Sequence, residues 1–155
     1  MSKTISADLF RDTINKSGLV EAGKLDRLLY DLAQDGIDVD SSKALADAMV
    51  DNNALTSWQV KHLLKGKSQG FLIRANRLLK PLGKGAMGTV YLAEHQKLHR
   101  QCAIKILFDK YVKKKTSVLE RFYAEAESFA SLDHVNIMRV YDIDRDIRNA
   151  GDKHY

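Results

Sequence analysis

The chain is poor in the residues that cross-link a fold. A single cysteine in 155 residues, Cys102, excludes a disulfide framework and a thiolate-built zinc site. One proline, Pro81, and nine glycines exclude a fibrous chain of the collagen kind. No run approaches the roughly 18 consecutive apolar residues of a membrane span, and Met1-Ser-Lys-Thr-Ile-Ser6 holds no apolar signal core. A cytoplasmic location with no membrane segment is therefore the expectation. What remains, 45% hydrophobic and 29% charged residues, is the balance of an ordinary globular protein of one domain or two small ones.

The formal net charge of +5 is unevenly spread. Residues 1–55 carry 6 basic and 10 acidic side chains, and residues 56–155 carry 19 and 10. No acid occurs between Asn52 and Ala93, a stretch holding Lys61, Lys65, Lys67, Arg74, Arg77, Lys80 and Lys84. Such a block suits a nucleic acid, an anionic surface or a phosphorylated ligand, and equally a solvated basic face. With the solvated face as the simpler reading, no nucleic-acid partner is expected.

The first 66 residues have the period of helices. Leu25, Leu28, Leu29, Leu32 and Ala33 share one face, and Gly36 lies where a left-handed cap is wanted. An earlier segment groups Leu9, Phe10 and Ile14 and stops at Gly18. Asp40 or Ser41 can cap a third, with Leu45, Ala48 and Met49. The fourth starts with Thr56-Ser-Trp-Gln59, a capping box, with Leu55 and Val60 spaced as a hydrophobic staple across it, and ends at Gly66. Trp58 is expected in the core and His62 on the exposed face. No catalytic constellation is present, and so small a bundle has a marginal core. An interaction or spacer domain over 1–66, with a possible protein partner, is expected, followed by a linker over 67–75.

From residue 76 the period shortens to two. Leu78–Leu82, Thr89–Ala93 and Cys102–Phe108 read as strands, 117–131 as a helix and Ile137–Ile143 as a further strand. Between the first two strands lies Gly83-Lys-Gly85-Ala-Met-Gly88-Thr-Val90. A dinucleotide-binding loop of this spacing would open a helix, but Val90 and Leu92 alternate with Tyr91 and Ala93, which is strand pattern. A phosphate-binding loop that ends in Gly-Lys-Ser/Thr also fails, because Thr89 stands where lysine is required and Lys61 where glycine is required before Gly66-Lys67-Ser68. A glycine hairpin that lays its backbone on phosphate oxygens remains, beside the plainer reading of a flexible turn.

Lys105 interrupts the apolar run Ala103-Ile104 and Ile106-Leu107, so its ammonium group must reach water or an anion. On the helix at 117–131, Val118, Phe122, Ala126 and Phe129 share an arc. Glu125 falls on that arc, only about 20° from Val118, while Glu120 and Glu127 point away. A Lys105–Glu125 pair meets both demands; the alternative is a Glu125 that pairs with solvent.

Together, Leu82-Gly-Lys-Gly-Ala-Met-Gly-Thr-Val-Tyr-Leu-Ala-Glu-His95, Cys102-Ala-Ile-Lys105, Arg121-Phe-Tyr-Ala-Glu125-Ala and Leu132-Asp-His-Val-Asn-Ile-Met-Arg-Val-Tyr-Asp142 resemble the N-terminal lobe of a bacterial serine/threonine protein kinase. The resemblance covers 76–155. The first half, with its Leu-Thr-x-Trp-Gln helix and Leu-Leu-x-Gly tail, is similar to the helical segment before the kinase domain in planctomycete-type kinases. The fold implied is α+β: a small helical bundle followed by a truncated kinase N-lobe, an antiparallel sheet with one αC-type helix. The resemblance implies ATP binding by Leu82, Gly83, Lys84, Gly85, Ala86, Met87, Gly88 and Val90, with Val90 and Ala103 at the adenine. Lys105 would contact the α- and β-phosphates, held by Glu125. Pro81 fits an edge strand, where a missing N–H is tolerated. Cys102 takes the place of the usual valine, as a small buried residue.

The sequence holds no His-Arg-Asp segment for a catalytic base and no Asp-Phe-Gly for magnesium. The expectation is a fragment of a longer kinase, inactive alone, whose Mg ligands lie beyond residue 155. Its substrate would be protein Ser/Thr. A non-catalytic nucleotide-binding or protein-interaction module is the alternative.

Overall fold

The computed structural model describes residues 5–113, 117–137, 139–143, 145–146 and 153–154. The chain divides into two units, one of residues 1–80 with 93–100, the other of 81–92 with 101–155.

In the first unit, helices α1 (Ala7–Ser17), α2 (Ala22–Gln34), α3 (Ser42–Asp51) and α4 (Ser57–Leu63) begin and end where local chemistry places them. Ser6, Ser41 and Thr56 each accept a backbone N–H from the first turn of the helix they cap. Gly18 and Gly36 take left-handed φ of 68° and 79° past the ends of α1 and α2. At Gly36 two bonds close the end of α2: Gly36 N–H donates to the Ala33 carbonyl and Ile37 N–H to that of Leu32. The predicted capping box of α4 forms in full, with Leu55 and Val60 buried across it. Phe10, Ile14, Leu25, Leu45, Met49, Leu63 and Phe71 make one core. Each large side chain so removed from water contributes about 1.5–3 kcal/mol.

The span 67–75, expected as a linker, is folded around strand β1 (Leu72–Ile73), with Phe71 and Ile73 buried. β1 pairs antiparallel with the start of β2 (Asn76–Lys84), Ile73 opposite Asn76, through a turn at Arg74 with φ 51°. The reason is the apolar run Phe71-Leu-Ile73, which the helical core absorbs. His62 also departs from expectation. It is half-buried, its ring 4.8 Å from Trp58 and 6.4 Å from Phe71, because Phe71 folds back onto the α4 face. Trp58 packs on the edge of that core, as expected.

The start of β2 is tied to α4 by the capping residues themselves. Gln59, with no exposed surface, accepts from Thr56 N–H at 2.8 Å and donates its amide to the Leu78 carbonyl at 2.7 Å. The Thr56 hydroxyl donates to the Leu79 carbonyl at 2.6 Å. One capping box thus serves two elements.

Strands β3 (Gly88–His95) and β4 (Arg100–Leu107) complete a four-stranded sheet of order β1-β2-β3-β4. Short connections between consecutive neighbours make it an antiparallel meander. Pro81 lies on β2 beyond the residues that pair with β1. In the second unit a short helix α5 (Asp109–Lys113) precedes α6 (Ser117–Ala130), the expected helix, and β5 (Arg145–Asp146) pairs with β6 (Lys153–His154). The architecture is α+β, as expected, with an antiparallel sheet followed by one long helix. The strand expected over Ile137–Ile143 is not formed: its described residues, 137 and 139–143, are irregular, and Met138 lies outside the described residues. A strand exists only within a ladder, and among the described residues no strand is offered to this segment as a partner.

Candidate functional site

The site is built in the second unit, on the hairpin that joins β2 to β3. The hairpin bends at 85–87, where Gly85 N–H donates to the Gly88 carbonyl at 2.9 Å. Strand β3 follows directly, and no helix opens at the glycines. The side chains of Leu82, Lys84 and Ala86 are exposed, and Gly83 and Gly85 with them. A Cβ added at Gly83 would meet nothing within 4 Å, so the outer side of the bend is open space.

Gly88 is a different case. It is buried, and a Cβ there would collide with the backbone carbonyl of Ile106 and approach Leu107 Cα at 3.1 Å. Only glycine lets β3 start this close to β4. Next to it, Met87 is half-buried against Leu107 and Phe122. Its carbonyl accepts from Phe108 N–H at 3.0 Å. Tyr111 of α5 donates its hydroxyl to the Ala86 carbonyl at 3.3 Å, and the Lys84 ammonium lies 5.4 Å from the centroid of the Phe108 ring. The β3 side of the bend, from Met87 to Gly88, is therefore held in place, while the β2 side from Leu82 to Gly85 is exposed.

Lys105 lies on β4 between buried Ile104 and Ile106, itself half-buried. Its ammonium is 3.7 Å from a Glu125 carboxylate oxygen on α6 and 5.8 Å from the centroid of the Phe122 ring. The two charged side chains are 37% and 46% exposed. A pair this open and this long adds little to stability. It orients instead: Glu125 and the Phe122 face draw the ammonium to one side, and its remaining donors stay available to an anion. Phe122 also packs on Leu107 and Met87, so one small cluster underlies both the lysine and the root of the hairpin.

The structure thus brings Lys105 to Glu125 as the sequence pattern requires, and places Gly88 and Met87 against the strand that bears Lys105. Val90 is half-buried on β3; Ala103 is exposed on β4. Three contributions escape sequence reasoning. Phe108 and Tyr111 hold the hairpin, yet carry no motif. The steric demand at Gly88 depends on β4, eighteen residues away. Phe122 beneath the lysine was visible only as an apolar position.

A glycine hairpin, a lysine on the strand that follows it and a helix carboxylate beside that lysine thus form one constellation. Residues 77–152 match the protein kinase domain family. The chain is 45% identical over 67 residues to the serine/threonine-protein kinase PrkC of Bacillus subtilis, covering 43% of this chain and 10% of that protein. To the serine/threonine-protein kinase Pkn1 of Myxococcus xanthus it is 37% identical over 68 residues, 44% of this chain and 10% of that protein. To Aurora kinase B of Mus musculus it is 34% identical over 113 residues, 65% of this chain and 32% of that protein. Residues 77–152 thus resemble the protein kinase domain, and the bacterial relatives they resemble are serine/threonine-protein kinases. The chain spans about a tenth of the length of the bacterial relatives it matches.

Proposed function

We propose that this chain carries the ATP-binding half of a serine/threonine kinase active site, joined to a helical module of the planctomycete type over 1–66. The observation that carries the reading is the Lys105–Glu125 pair at 3.7 Å, beside a glycine hairpin that faces open space at Gly83. The residues present suit ATP. The exposed segment from Leu82 to Ala86, with Met87 and Gly88 following it, would lie over the phosphates. Lys105 would neutralise the α- and β-phosphates, positioned by Glu125, while Val90 and Ala103 would line the adenine. Magnesium, when bound, supplies charge neutralisation on the transferring phosphoryl group. Among the described residues no group of three or more His, Cys, Asp or Glu side chains could hold a metal. Neither a metal ligand nor a catalytic base is assigned among the 155 residues.

The substrate would be a protein Ser/Thr hydroxyl. The helical module would recruit a protein partner or act as a spacer. Use of ATP accords with a cytoplasmic location, and no described helix is long and apolar enough to cross a membrane.

In a protein that continues through the rest of the domain, Lys105→Met is expected to abolish MgATP-dependent phosphorylation of Ser/Thr. An unchanged rate removes Lys105 from the mechanism. The 155-residue chain is expected to show no Lys105-dependent turnover. Turnover by the purified chain that disappears in the Lys105→Met variant would refute the reading that the chain holds only the ATP-binding half of the site.

A further inference from the structure

The helical unit has a concave surface that the kinase reading leaves unused. Between the end of α2 and the side of α3 runs a groove of about 330 Å³. Leu32, Ile37 and Ala48 contribute apolar surface to it, and Asp35, Asp47 and Asp51 line its polar side. Ile37 is 36% exposed, a large aliphatic side chain left partly in water. The three aspartates are exposed, and among the described residues none of their carboxylates makes an ion pair.

Two of these carboxylates stand where helix electrostatics disfavour them. Asp35 is the C-terminal cap of α2 and Asp51 the last residue of α3, and neither helix has a basic residue in its last turn. The C-terminal end of a helix carries partial negative charge, which attracts cations and repels carboxylates. Both ends therefore meet like charge, and among the described residues no cation pairs with either carboxylate. Residues 1–55 hold 10 acids against 6 bases, so the surrounding field has the same sign. An occupant that covers Ile37 and brings positive charge to Asp35, Asp47 and Asp51 relieves the exposed apolar surface and both helix ends together.

We propose that this groove docks a cationic amphipathic protein segment, with aliphatic side chains on the Leu32–Ile37–Ala48 floor and Lys or Arg against the three aspartates. A polyanion such as nucleic acid or an anionic membrane is repelled here. The proposal rests on the reading of the helical unit as a recruiting module, and is independent of the kinase reading.

The test uses the 155-residue chain and a fluorescein-labelled 14-residue peptide of Leu and Lys, with Leu at helical spacing, followed by anisotropy. A peptide of the same composition, scrambled to break the spacing, is the control. The Asp47→Lys/Asp51→Lys double variant removes the complementarity; it also puts a cation at the end of α3, which favours the helix. Its fold is checked by circular dichroism. Expected are binding that weakens with added salt, and at least a tenfold loss both with the scrambled peptide and in the double variant. Equal binding of both peptides overturns the groove in favour of bare charge attraction. Undiminished binding by a folded double variant also overturns the groove, while leaving a recruiting role to another face of the unit. No binding of either peptide overturns the proposal and, with it, the reading of an acidic recruiting surface.

Discussion

Two polar constellations, one in each unit, are built on opposite terms. Around Gln59 every hydrogen-bonding group is spoken for: the side chain is wholly buried, its oxygen takes the Thr56 N–H and its amide reaches Leu78. Around Lys105 the pairing is loose, at 3.7 Å, with both partners more than a third exposed. A buried amide with an unmet valence costs the fold directly, so a structural site must be saturated. A ligand site must keep donors in reserve. The contrast separates polar groups that hold the protein together from those left free to hold something else.

The glycines repeat the contrast within one hairpin, and there the expected effect is largest. Gly88→Ala drives a methyl group into the Ile106 carbonyl. The backbone cannot give way without parting β3 from β4, and a loss of about 3 kcal/mol is expected. Faster hydrogen exchange at the Ile106 and Leu107 amides would report it. Gly83→Ala meets open space and is expected to stay within about 0.5 kcal/mol. Equal destabilisation by both substitutions would erase the distinction between the two sides of the hairpin.

Gln59→Leu comes next. It keeps the volume and leaves the Leu78 carbonyl and the Thr56 N–H without their side-chain partner, for a cost of about 2–3 kcal/mol. Trp58 is the sole tryptophan and lies in the same unit, so its fluorescence in a urea titration reads the loss where it occurs. A midpoint unchanged from the parent would mean that the capping box does not tie α4 to β2.

What the sequence made legible in these two sites follows from how far each cause reaches along the chain. Ser6, Ser41 and Thr56 cap, and Gly18 and Gly36 terminate, by bonds spanning a few residues, so their roles are visible in short windows. The Lys105–Glu125 pair was legible for another reason: each residue broke an apolar pattern and needed a partner. The second use of Gln59, on Leu78, left no trace, because any capping box looks the same whether or not a strand lies beside it. The run Phe71–Ile73 was too short to show a period, so β1 read as linker. The alternation at 137–143 was present, yet alternation specifies a face and cannot supply a neighbouring strand. Gly88 looked like Gly83 and Gly85 because its demand comes from the backbone of another strand.

Lys105→Met is the smallest effect on stability and the sharpest test of the comparison. The ion pair it removes is exposed enough that solvent takes over the carboxylate left behind, and Met keeps a linear apolar side chain on the strand. A change within about 0.5 kcal/mol is expected. Binding of a fluorescent ATP analogue should fall at least tenfold in the same protein, because the phosphates lose the cation while the hairpin is untouched. Stability and binding would then part company at Lys105. At Gln59 they have no reason to, since no group there is held in reserve. If Lys105→Met instead destabilised the second unit as strongly as Gln59→Leu does the first, the lysine would be a structural cation. Its position behind the hairpin would then carry no argument for a nucleotide.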